Sequence, residues 1–377
     1  MNNPKLLAYY LPQFYPIPEN DLWWEPGFTE WTNVTKAKPL FKGHNQPRFP
    51  LDLGYYDLRV SETRDLQAKL AKEHGIHGFC YYNYWFGDGR VILDRVAKEV
   101  LNSGNPDFPY CFCWANESWK GVWFGVDSQK TLIEQQYLGR TDYEKYFYYL
   151  LDYFKDERYI KVDSKPFFQV YRVFDIPDLD IFVDTFRTLA IKEGFPGIYL
   201  VAGISSVDPY WDPRINGFDA VVGSEFSALR YWKRDLIRNQ SNPFAKFIDR
   251  LKRKFFPEEK DFNKRKEPVV VEYREAIDYL ISKDSFDYPY FPVCIHDWDN
   301  SPRSTSRSLI LHNSTPELFR KHLKIGLEKV KNLPESERFV ILKSWNEWGE
   351  SNALEPDKKW GNAYLKVIKE ELELFLL

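Results

Sequence analysis

The sequence predicts a (β/α)8 barrel of the TIM type, a single domain over residues 1–377 with long βα loops. Three observations predict it: short apolar runs recur along the chain, stretches of helical periodicity separate them, and the runs number eight. Strands of a parallel sheet are covered on both faces, so they read as continuous apolar runs rather than as alternating ones. An open, doubly wound sheet is the alternative with the same alternation.

The first run, 6–11, reads Leu-Leu-Ala-Tyr-Tyr-Leu and stops at Pro12. The others follow at 78–84, 110–114, 167–171, 198–203, 219–224, 290–295 and 339–345. Helices are expected between them over 61–74, 91–101, 142–154, 181–193, 316–330 and 361–376. Ser61 is read as a capping residue, and Thr315-Pro316 places a cap before a proline at the first helical position. Residues 12–56 are rich in Pro, Trp and Asn with little periodicity, which predicts a long loop over the barrel mouth. Residues 230–266 carry Lys252-Arg253-Lys254 and Lys264-Arg265-Lys266 around Phe255-Phe256-Pro257. A solvated helical insertion is expected there, with contact to an anionic polysaccharide or lipid as the alternative.

Composition narrows the partners. There are 52 basic and 55 acidic side chains, a balance that lacks the positive surplus a phosphate-backbone binder needs, so nucleic acid is not expected. No apolar run approaches the roughly 20 residues of a membrane span. The start of the chain lacks the length and the small-residue cleavage site of a secretory signal, so the cytoplasm is the expected location. Cys80, Cys111, Cys113 and Cys294 lie inside apolar segments without CxxC spacing, and buried free thiols are expected rather than a disulfide or zinc site. No metal or cofactor is expected.

In a barrel, residues just past the C-terminal strand ends converge on one mouth. Here those ends carry Tyr10 and Gln13, then Tyr82, Tyr84 and Trp85, then Trp114, Asn116 and Glu117, then Asp299, Asn300 and Arg303, and last Trp345, Asn346, Glu347, Trp348 and Glu350. Trp31 joins them from the long loop. Flat rings pack against the C–H faces of sugars, while carboxamides and acids satisfy hydroxyls, so an oligo- or polysaccharide site is the natural reading. The competing reading is that the tryptophans cap the barrel core. Glycoside cleavage needs one carboxylic acid and a second carboxylate, and Glu347 with Glu350 could form that pair; two surface glutamates in a turn are the alternative. A carboxyl group held against indole rings has its ionised form disfavoured, which suits it to donate a proton. Glu117, after Asn116, is a further candidate for proton transfer or hydroxyl binding. Asp297-Trp298-Asp299 forms a D-x-D, the pattern by which many glycosyltransferases hold a metal and a sugar nucleotide, although no Gly-rich phosphate loop accompanies it.

Five segments together resemble the WbsX family, related to glycoside hydrolase family 99: Ala8 to Phe14, Gly27-Phe28-Thr29-Glu30-Trp31, Gly78 to Phe86, Cys113 to Glu117, and Trp345 to Glu350. The resemblance runs from Leu6 to Trp360. It implies a (β/α)8 barrel and a setting in bacterial O-antigen or capsule metabolism; the family was named as a glycosyltransferase, whereas family 99 comprises retaining, metal-independent endo-α-mannosidases and endo-α-mannanases. By that resemblance Glu347 would be the base that deprotonates the sugar 2-hydroxyl, whose oxygen attacks C1 to give a 1,2-anhydro sugar. Glu350 would be the acid that protonates the leaving oxygen and later activates water. The function expected is therefore a retaining, endo-acting glycoside hydrolase on a bacterial surface polysaccharide or its precursor. A glycosyltransferase of lipopolysaccharide biosynthesis and a non-catalytic glycan-binding protein are the alternatives. The aromatic N-terminal loop departs from the mannanase pattern, so mannose is not implied.

Overall fold

In the computed structural model, residues 4–121, 131–204, 211–223, 226, 229 and 267–375 are described. The insertion expected over 230–266 lies outside them. Eight parallel strands close on themselves: β1 (Lys5–Tyr10), β2 (Gly78–Trp85), β3 (Tyr110–Trp114), β4 (Lys165–Val170), β5 (Tyr199–Ile204), β6 (Ala220–Gly223), β7 (Tyr290–Ile295) and β8 (Phe339–Lys343). Closure is carried by β1, which pairs with β8 at Leu7 and Ile341 and with β2 at Ala8 and Phe79. The open-sheet alternative is thereby excluded, and the fold is a single TIM-like barrel.

Around the strands lie α1 (Ser61–Glu73), α2 (Arg95–Ser103), α3 (Arg140–Lys155), α4 (Leu179–Lys192), α5 (Tyr273–Leu280), α6 (Pro316–Val330) and α7 (Ala363–Phe375). Thr315 caps α6 by accepting from the Leu318 amide at 3.2 Å. Ser61 is not the cap of α1; it is the first helical residue, and Val60 precedes it without a side-chain cap. The expected helix over 91–101 starts later, because Val91 and Ile92 first pair with Trp85 and Tyr84, and Leu93 then takes a left-handed φ of 57°. Helix α5 was not expected; it follows the short strand Val269–Glu272, which joins Leu309–His312 and Trp298–Asp299 in a small separate sheet.

Strand alternation sorts the side chains into two layers. Tyr9, Cys80 and Gln169 point into the barrel, where the Gln169 amide donates to the Tyr9 hydroxyl at 2.7 Å. Tyr10, Phe79, Tyr81 and Trp114 point outward, and Tyr10 donates to Gln67 of α1 at 2.7 Å. Full burial of such rings contributes roughly 1.5–3 kcal/mol each. All four cysteines are buried and free. Gly203 in β5 is required by a close approach, since a Cβ there would sit 2.5 Å from the Tyr171 carbonyl oxygen. Among the described residues, no helix is long and apolar enough to cross a membrane.

The segment 12–56 is more ordered than the expected loop, holding two short helices, Pro18–Trp23 and Glu30–Lys36. It is fastened to the barrel by side chains two apart on both partners: His44 Nε2 and Gln46 Nε2 reach Asp299 Oδ2 at 2.7 and 2.5 Å, and Arg48 Nη2 donates to Asp297 Oδ2 at 2.8 Å.

Candidate active site

The last catalytic candidates sit on a hairpin directly after β8. Asn346 and Glu347 pair antiparallel with Ala353 and Asn352, and a single 3-10 turn, Trp348–Glu350, closes it. Three residues make one 3-10 turn, so Glu347 and Glu350 stack on one side. Several contacts hold the hairpin against the barrel. Asn346 clasps both backbone groups of Leu11, accepting from its amide at 2.7 Å and donating to its carbonyl at 3.0 Å. Ser344 Oγ accepts from the Glu347 amide at 2.9 Å and donates to the Asn352 carbonyl at 2.6 Å. Trp348 Nε1 donates to Glu355 Oε2 at 2.6 Å, and Glu355 also accepts from Tyr56 and Gln67.

Both glutamates line a cleft of about 150 Å³ at the C-terminal mouth of the barrel. Its walls are aromatic and polar: Tyr82 and Tyr84 from β2, Tyr171 after β4, Trp119 and Glu117 after β3, Gln13 after β1, with Lys343 and Arg303 beside the glutamates. Tyr82 stacks on Tyr9 at 5.2 Å, and Tyr84 meets Trp119 edge-on at 5.3 Å, so these rings are held rigidly. Gln13, which lines the cleft, is buried, and its Nε2 donates to no described residue.

The electrostatics separate the two acids. Lys343 Nζ lies 3.1 Å from Glu347 Oε2 and 3.6 Å from Glu350 Oε2, and Arg303 Nη1 donates to Glu350 Oε1 at 2.7 Å. Burial opposes ionisation of Glu347, but Lys343, a hydrogen bond with Glu350 and Arg303 outweigh it and hold its carboxyl below the usual range. Glu350 goes the other way: burial and the adjacent Glu347 charge raise it, more than Arg303 and Lys343 lower it. The two neighbouring carboxyls are thus pushed in opposite directions, Glu347 toward the ionised form and Glu350 toward the protonated one. Glu117 is also raised, chiefly by burial, although Arg172 Nη1 donates to it at 2.8 Å.

Of the sequence-derived candidates, the structure gathers Gln13, Tyr82, Tyr84, Glu117, Arg303, Glu347 and Glu350 in one cleft. The others belong elsewhere. Tyr10, Trp85, Trp114 and Trp345 face outward into the layer between strands and helices; Trp85 stacks on Tyr146 and donates to Asp142, Trp114 donates to the Trp85 carbonyl, and Trp345 packs on Phe79. For these rings the core-capping reading is the correct one. Trp31 is enclosed by Phe14, Tyr56 and Trp348, and Trp348 is itself buried. Asn346 is the Leu11 clasp. Asn116 binds the Arg172 backbone and Tyr137, placing the arginine that pairs with Glu117. Asp299 is consumed by His44 and Gln46, and Asn300 accepts from the Leu309 amide. The D-x-D spacing is therefore that of a strand-period clamp on residues 44–48. Among the described residues no cluster of His, Cys, Asp or Glu could hold a metal ion.

Lys343 and Tyr171 line the cleft but were not among the sequence-derived candidates, while Trp119 belongs to the third strand end, where aromatic residues were expected. Lys343 had a signal, a charge inside the eighth apolar run; a buried lysine in a strand needs a partner, and the nearest acids are Glu347 and Glu350.

The uncharacterized protein WxcX from two strains of Xanthomonas campestris pv. campestris is 34% identical over 368 residues, which is 97% of this chain and 49% of those proteins. The chain thus spans about half the length of the curated relatives it matches. Among solved structures, a glycoside hydrolase-like protein superposes with a TM-score of 0.57 at 14% identity, covering 99% of this chain and 94% of that one. A glycoside hydrolase family 99 endo-α-mannosidase from Bacteroides thetaiotaomicron gives 0.55 at 11% identity, covering 100% and 98%. These last two are likenesses of fold. The family described as Glycosyltransferase WbsX matches over residues 6–368, and the chain belongs to it.

Proposed function

We propose that this chain is a retaining glycoside hydrolase, endo-acting on a bacterial surface polysaccharide or its lipid-linked precursor, in which Glu347 and Glu350 divide the proton transfers. The observation that carries this reading is two carboxyls three residues apart lining one aromatic cleft, with Lys343 beside both and Arg303 on Glu350; the opposite shifts of the pair support it. An ionised Glu347 takes the proton of the sugar 2-hydroxyl; that oxygen attacks C1 while the C1–O bond to the leaving group breaks, and Glu350 delivers its proton to the departing oxygen. Water then attacks C1 of the 1,2-anhydro sugar as Glu350 takes its proton, and Glu347 returns a proton to O2. Two inversions at C1 give net retention. The route needs a free 2-hydroxyl trans to the scissile bond. Neighbouring attack dispenses with a carboxylate nucleophile on the opposite face, which fits two acids presented by one hairpin.

Gln13, Tyr82, Tyr84 and Glu117 would hold sugar hydroxyls and ring faces, and Arg303 and Lys343 set the charge of the pair. The family description as a glycosyltransferase favours one second reading: the same intermediate opened by a sugar hydroxyl instead of water. Incubating the protein with a panel of bacterial surface glycans, with and without acceptor oligosaccharides, and counting new reducing ends separates the two. Hydrolysis raises the count; transfer lengthens chains without raising it. Chain scission that persists in Glu350→Gln would remove that residue from the mechanism.

A further inference from the structure

Glu30 lies on the N-terminal segment, far in sequence from the catalytic hairpin, yet it is completely buried and reaches the same charge cluster. Its Oε1 accepts from Arg303 Nε at 2.8 Å, while Nη1 of the same guanidinium donates to Glu350 at 2.7 Å. One arginine therefore bridges two carboxyl groups. Space for this is made by Gly349, where a Cβ would lie 1.5 Å from Glu30 Oε1. Thr29 precedes the short helix Glu30–Lys36, and its amide donates to Thr32 Oγ1 at 3.4 Å, which ties the entry to the helix that carries Glu30. The Gly27 to Trp31 motif and the glycine of Trp345 to Glu350 thus serve one contact.

We propose that Glu30 is a positioning residue: from the far side of Arg303 it balances the guanidinium that also grips Glu350. The charges facing Glu350 are Lys343 from the end of β8, Arg303 from the short helix Ser301–Ser304, Glu347 on its own hairpin, and Glu30 across Arg303; the neutral Tyr171 hydroxyl faces it from the end of β4. Lys343 and Arg303 are offset by Glu347 and Glu30. With that set neutral, no net positive charge draws the proton off Glu350. Remove Glu30, and one buried cation is left with Glu350 as its nearest acid, which favours the carboxylate and disarms the acid.

The inference rests on Glu350 being the acid of the proposed reaction, and its test has a readout independent of turnover. The Glu350 carboxyl is followed by 13C NMR on glutamate-labelled protein, the signal assigned by its loss in Glu350→Gln. Glu30→Gln is expected to move its titration midpoint to lower pH by about one unit or more, the usual effect of an adjacent unbalanced opposite charge. The alkaline limb of kcat should move with it. Arg303→Gln should move the midpoint upward, and the double variant should return it toward wild type; that variant removes both charges of a buried pair together, and it serves if Glu30→Gln alone does not fold. A midpoint that stays put when Glu30→Gln is added to either background overturns the proposal. If instead the midpoint moves but Glu350→Gln retains activity, the charge balance stands and the assignment of Glu350 as the acid fails.

Discussion

At the scale of single residues, the proposed mechanism depends on two identical side chains that their surroundings push toward opposite protonation states. Glu347→Gln and Glu350→Gln should each lower turnover by at least about a hundredfold, the usual worth of acid or base assistance. A substrate whose leaving group needs no protonation should partly rescue Glu350→Gln and not Glu347→Gln; equal rescue would show the roles reversed. The raised Glu350 carboxyl also predicts a stability effect. Because its folded pKa lies above the unfolded value, the native state binds the extra proton, so this contribution is complete below the unfolded carboxylate range and is lost as pH rises through the folded midpoint. Glu350→Gln, neutral at every pH, should therefore melt at a higher temperature than wild type under alkaline conditions and lose that advantage in mild acid. A constant difference in melting temperature across pH would contradict it. Glu347, Glu350, Tyr82, Tyr84 and Glu117 were legible in the sequence as polar and aromatic residues at strand ends. Trp85, Trp114 and Trp345 were misread because a strand buried on both faces is apolar throughout and gives no phase, so inward and outward rings look alike.

At the scale of elements, the hairpin after β8 is only as well placed as its anchor to β1. Asn346→Ala would leave the Leu11 amide and carbonyl buried and unpaired, at a cost of about 1–3 kcal/mol for each group. Urea unfolding should show that loss, with activity falling further than stability alone explains; an unchanged midpoint would mean the clasp is replaceable by water. Thr315→Ala removes the cap of α6 and should cost about 0.5–2 kcal/mol in the same assay without altering KM. Six helices and all eight strands could be read from periodicity. Helix α5 could not, because the run from Val269 begins as a strand of the small sheet and turns helical at Tyr273, leaving no uniform period to detect. The helices of segment 12–56 are six and seven residues long, too short for a periodic signal.

At the scale of the whole molecule, barrel closure brings the first and last strands side by side, which is how Gln13 and Glu350 come to share a cleft. The number of strands made that closure legible. What fastens the N-terminal segment over the mouth was not, since His44 and Asp299 are 255 residues apart and only the folded barrel sets their register. That fastening turns a D-x-D, readable as a metal site, into a clamp. The same segment carries Glu30 to Arg303, so the covering of the cleft and the proposed charge balance belong to one piece of structure.

The most direct test of the account is proton NMR of the anomeric region while the wild-type protein cleaves a surface glycan, run beside the same glycan methylated at O2 of the cleaved sugar. Initial product with the anomeric configuration of the substrate, and no cleavage of the methylated glycan, is the predicted result. Inverted product, or equal cleavage of the methylated glycan, would contradict the role of Glu347 and the mechanism built on it.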